Sequence, residues 1–113
     1  MNIESWAAAV AKWASTQPLI RKAYLFGSRV RGTHQLDSDL DVAVEIFTLP
    51  SDSSPFTTWT CEKQRLKASI AGILPVAIDL DWYGGEFETP CIHEGLDESS
   101  VVVYDVEKST STK

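Results

Sequence analysis

The stretch "LFGSRVRGTHQLDSDLDVAVEI", residues 25–46, decides how this chain is read. An apolar run stops at Gly27-Ser28, and ten residues after that dipeptide a second run opens with Asp39-Leu40-Asp41. In "DLDVAVEI" the residues Leu40, Val42, Val44 and Ile46 alternate with Asp39, Asp41, Ala43 and Glu45, the period-2 pattern of a half-buried strand. Side chains two apart on a strand point the same way, about 6.5–7 Å apart at the backbone, so Asp39 and Asp41 converge on one region. Two neighbouring carboxylates repel each other and resist burial unless a cation lies between them. Hard oxygen donors of this kind suit Mg²⁺, which draws its remaining ligands from water and phosphate. Gly27 lets backbone approach a phosphate closely, Ser28 offers a hydroxyl and an N–H, and Arg29 and Arg31 add local positive charge.

Outward from this segment the pattern continues in both directions. Ile3, Trp6, Val10 and Trp13 recur at three and four residues with alanines between, a helical stripe whose tryptophans belong in a core. Pro18 closes that helix, and "LIRKAYLF" reads as a strand with Ala23, Leu25 and Arg21 on one face, Tyr24 and Phe26 on the other. "SRVRGTH" has room for about one helical turn. "TLPSDSSPFT" is a loop by composition, followed by a helix with Trp59, Leu66, Ile70 and Ile73 on one side, ended by Gly72 and Pro75. "VAIDLDWY" alternates again, with Asp79 and Asp81 on one face, and Gly84-Gly85 turns the chain. "TPCIHEGLDESS" is irregular or weakly helical, and "SVVVYDV" is a last strand. Helix, strand, strand, helix, strand, strand predicts an α+β fold, a small mixed sheet with helices mainly on one face.

With 113 residues, 43% hydrophobic and 23% charged, the chain fits one globular domain over 1–107, with "KSTSTK", residues 108–113, as a disordered tail. No apolar run reaches the length of a membrane span, and the start lacks the basic and apolar segments of a secretory signal, which predicts a cytoplasmic protein. Cys61 and Cys91 are too few and too far apart for a metal or redox pair. A net charge of −6 argues against a protein that tracks a nucleic-acid backbone, so any phosphate must be held locally. His34 and His93 stand alone and read as surface residues. Asp37 reads as a solvated or turn residue, because it precedes the apolar alternation, and Arg65 reads as part of a solvated helix face.

Gly27-Ser28, ten residues, then Asp39-Leu40-Asp41 resembles the GSx10DxD signature of the minimal nucleotidyltransferases of the DNA polymerase β superfamily, with "GSRVRG" and "IDLDWYGG" extending the likeness. The resemblance implies a polymerase-β-like nucleotidyltransferase fold and an enzyme using two Mg²⁺ ions and ATP or another nucleoside triphosphate. It implies that Asp39, Asp41 and Asp79 are the catalytic, metal-binding acids, with Asp79 on the nucleophile side. It implies that Gly27, Ser28 and Arg29 bind the nucleotide's phosphates.

Asp79 is preferred over Asp81 as the third acid because Ile78 and Leu80 flank it at the apolar heart of the strand, while Asp81 nears the glycine turn and water. Larger superfamily members carry a helical acceptor-binding domain, for which only about thirty residues after the third acidic strand leave no room. By analogy the acceptor is a hydroxyl on a small helical partner of the HEPN type, in a toxin–antitoxin pair that works by AMP transfer. A small-molecule hydroxyl of the aminoglycoside kind and a catalytically silent partner-binding module are the alternative readings.

Overall fold

The computed structural model describes residues 3–32 and 39–107. His34, Asp37 and the tail 108–113 lie outside the described residues. The chain runs α1 (Ile3–Ser15), β1 (Ile20–Phe26), α2 (Ser28–Arg31), β2 (Leu40–Ile46), α3 (Pro55–Ile70), β3 (Ile78–Trp82), α4 (Pro90–Glu98) and β4 (Ser100–Asp105). The four strands form one mixed sheet in the order β3-β2-β1-β4. β1 runs antiparallel to both β2 and β4, and β2 runs parallel to β3. A parallel pair needs a long crossover, and α3 supplies it.

The alternation read in β2 becomes a two-sided sheet. Leu40, Val42 and Val44 are fully buried on one face with Ala23, Leu25 and Leu80, against Trp6, Val10 and Trp13 of α1 and Trp59, Leu66 and Ile70 of α3. The tryptophans are core residues, and the Trp13 indole N–H donates to Ser69 Oγ at 2.9 Å, joining the two helices. Helix α3 starts at Ser54-Pro55, where the Ser54 hydroxyl accepts from the Thr57 N–H and proline occupies the first turn. It ends at Ile70, short of Gly72 and Pro75, and Ile73 packs against the core from the following turn.

Two expectations need correcting on the opposite face. "TPCIHEGLDESS" holds a nine-residue helix, α4, whose Ile92 and Leu96 pack on Tyr24, Phe26 and Ala43. Gly95 sits where an added Cβ would lie 3.0 Å from the Phe26 ring, so the helix reaches the sheet because that position is bare. Arg21 belongs to this face as well: a register shift between Ile20 and Lys22 reverses the alternation, and its guanidinium meets Glu45 at 3.2 Å. Among the described residues no helix is long and apolar enough to cross a membrane.

Candidate active site

The acids gather at one end of the α4 face. Asp41 is the Cα partner of Phe26 in β1 and of Asp79 in β3, while Asp81 stands opposite Ala43, one step further along. Neighbouring strands lie about 4.8 Å apart, so Asp41 and Asp79 sit side by side, and Asp39 shares their face two residues before Asp41. Asp39 and Asp79 are exposed, and Asp41 is half-buried. Among the described residues no hydrogen bond or ion pair holds any of the three carboxylates.

Asp41 carries the cost of this crowding. Burial pushes its carboxyl above the ordinary range, the charges of Asp79, Asp39 and Asp81 push it further, and Arg31 opposes them. Burial, then Asp79, raise Asp81 in the same direction, with Lys67 opposing. The reason given for preferring Asp79 is therefore inverted: Asp79 is the exposed residue and Asp81 the half-buried one. Strand register puts Asp79, and not Asp81, opposite Asp41.

The glycine turn is built against the same carboxylate. Gly27 follows Phe26 with φ 85° and ψ −159°, and a Cβ there would lie 2.1 Å from Asp41 Oδ2. Only glycine permits both that backbone and that approach. Ser28 opens the single turn of α2, where the Val30 and Arg31 N–H groups donate to the Gly27 carbonyl. Ser28 is half-buried, and its hydroxyl makes no hydrogen bond among the described residues.

Arg29 is placed differently from the expected phosphate clamp. It is 9% exposed, with its guanidinium 4.8 Å from the centre of the Trp6 ring, packed against α1. Arg31 is the arginine whose charge reaches Asp41, and it also bridges to Glu98 of α4 at 3.2 Å. His93 is likewise more than a surface residue: its Nδ1 is 2.7 Å from the Tyr83 hydroxyl and its ring stacks on that of Tyr83. The Tyr24 hydroxyl donates to Glu45, which also takes Arg21. Burial and Glu45 together hold the Tyr24 phenol protonated well beyond its usual range. The hydrogen bonds among these contacts join residues ten to sixty-seven apart, a distance at which sequence periodicity carries no signal.

The donor set suits a hard divalent cation. Among the described residues no three His, Cys, Asp or Glu side chains close on one point as they stand. A Mg²⁺ site in a phosphoryl-transfer protein needs only one or two carboxylates, with water and substrate phosphate completing it. Unneutralised acids beside a bare glycine turn meet that requirement.

A mixed sheet backed by two long helices, with acids in register across a parallel strand pair and a glycine turn pressed on one of them, defines a nucleotidyltransferase fold. The family model described as "Polymerase beta, Nucleotidyltransferase" matches residues 9–104, and the chain belongs to that family of transferase enzymes. No curated protein sequence matches it. Among solved structures it is similar to one described as a toxin-antitoxin with AMP-PNP, with a TM-score of 0.60 and 19% identity over 91% of this chain and 76% of the other. It is also similar to a Sulfolobus solfataricus protein described as a nucleotidyltransferase, with a TM-score of 0.52 and 20% identity over 94% of this chain and 82% of the other. At these identities the likeness establishes the fold.

Proposed function

We propose that this protein transfers AMP from ATP, with Mg²⁺, to a hydroxyl group of a partner protein, as the antitoxin of a toxin–antitoxin pair with a HEPN-type partner. The observation that carries the chemistry is the register of Asp41 with Asp79 beside Gly27. The toxin-antitoxin structure containing AMP-PNP supports ATP as the nucleotide and a protein as the acceptor.

In this reading Asp39 and Asp41 are the metal ligands shared with the triphosphate, and Asp79 lies on the acceptor side. Bound Mg²⁺ would neutralise phosphate charge and favour in-line displacement at the α-phosphate. Gly27 leaves the turn's backbone open and keeps the Asp41 carboxylate in place, while Ser28 donates its hydroxyl to a phosphate oxygen. Arg31 supplies positive charge that reaches Asp41, and Arg29 braces the turn through Trp6. The acceptor hydroxyl loses its proton to solvent as its oxygen bonds to the α-phosphorus, the bond from that phosphorus to the α–β bridging oxygen breaks, and pyrophosphate leaves. The chain's contribution is positioning and charge balance.

The test is incubation with Mg²⁺, a co-expressed HEPN-type partner and ATP labelled at either the α- or the γ-phosphate. Label should reach the partner from the α-position alone. Label appearing on an added small alcohol instead would move the acceptor class, and no transfer from any nucleoside triphosphate would refute the catalytic reading.

A further inference from the structure

Beyond the acids, the edge strand β3 borders a cleft that neither the fold nor the proposed chemistry requires. Two contiguous cavities of about 780 and 360 Å³ share Phe56, Trp82 and Glu88, and run from Asp81 past the end of β3 to the Gly84-Gly85 turn. Their walls are aromatic: Trp82 meets Phe56 with ring centres 5.8 Å apart, and Phe56 is 55% exposed. At the crest of the turn between Gly85 and Glu88 stands Phe87, 92% exposed, the most exposed of the large hydrophobic residues described.

The rim is acidic. Glu86 and Glu88 are exposed and make no ion pair among the described residues. Among the described residues Arg21 is the one cation lining either cavity, and Glu45 already neutralises it. Exposed aromatics beside an open cleft are the composition of a protein-binding surface, where Phe, Trp and Tyr supply anchors and charge selects the partner.

We propose that the β3-edge cleft and the Gly84–Glu88 turn form the docking surface for a basic segment of the acceptor protein, with an aromatic or aliphatic side chain seated against Phe56 and Trp82 and Lys or Arg facing Glu86 and Glu88. Charge complementarity commits the occupant to a cationic peptide. The inference deepens the protein-acceptor reading and rests on it, since β3 is also the strand that carries Asp79.

The probe is a lysine–tyrosine copolymer, compared with a glutamate–tyrosine copolymer, with binding followed by fluorescence anisotropy of the labelled copolymer at 0.15 M salt, where long-range attraction is screened. The full-length protein should bind the basic copolymer at least about ten-fold more tightly than the acidic one. Phe87→Ser, which leaves charge unchanged, and Glu88→Lys should each weaken that binding roughly five-fold or more. Glu62→Lys, with the same charge change at an α3 position that lines neither cavity, should weaken it by less than about two-fold. Circular dichroism melting checks that each variant is folded.

Equal binding of the two copolymers, or equal effects of Glu88→Lys and Glu62→Lys with no effect of Phe87→Ser, overturns the proposal. Asp41→Asn separates this inference from the enzymatic one. Copolymer binding that survives in that variant, without transfer by wild type to any acceptor, would leave the docking surface standing and remove the catalytic reading. Transfer to a partner without copolymer preference would do the reverse.

Discussion

Replacing Gly27 by alanine tests the geometry of the site most directly. Its backbone, at φ 85° and ψ −159°, lies in a region that only glycine populates, which costs another residue roughly 1–3 kcal/mol. The new Cβ would stand 2.1 Å from Asp41 Oδ2 and 3.1 Å from its Cγ, so the carboxylate must move by more than an ångström. An off-rotamer side chain adds about 0.5–1.5 kcal/mol. The sum is about 1.5–4.5 kcal/mol. With about 4 °C per kcal/mol for a domain of this size, Tm should fall by roughly 6–18 °C in a thermal melt followed by circular dichroism. Gly32→Ala is the control: it too has a positive φ, 80°, but nothing lies within 4 Å of an added Cβ, so only the left-handed cost of about 1–2 kcal/mol applies. Adding Asp41→Ala to Gly27→Ala should recover the contact part, about 1 kcal/mol, and leave the backbone part. If Gly27→Ala costs no more than Gly32→Ala, and the double variant regains nothing, the claim that the turn is built against Asp41 fails.

Three further outcomes follow from the same structure. Asp41→Asn should abolish transfer yet raise Tm by a few degrees in EDTA: a carboxyl raised in the fold costs stability once ionised, so its charge destabilises at neutral pH, and a lower Tm by scanning calorimetry would contradict this. Asp79→Asn should stop transfer while magnesium–nucleotide binding, measured by titration calorimetry, persists, and Asp81→Asn should keep most activity; two active variants would remove β3 from the catalytic machinery. Leu66→Ala, at a fully buried position between α3 and the sheet, should cost about 2–5 kcal/mol in urea denaturation, and a loss below about 1 kcal/mol would mean that α3 is not packed as described.

The sequence by itself determined the parts of this protein that depend on local period and spacing. Alternation in β2 and β3, the helical stripes of α1 and α3 and the glycine-serine turn are each written within a few residues, because a side chain's face follows from its place in a strand or helix. Tertiary structure decided what depends on which segments meet. Register, not the polarity of its neighbours, set Asp79 against Asp41, since a one-step slip between parallel strands would have brought a different pair together. A bulge in β1 carried Arg21 to the opposite face, and packing on Phe26 made a helix of a segment containing Gly95. Arg29 and Arg31 look equivalent in the chain, yet one turn of helix sends the first onto Trp6 and leaves the second near the acids. Long-range pairing carries no period, so the sequence names the site's residues while only the fold sets which of them face one another.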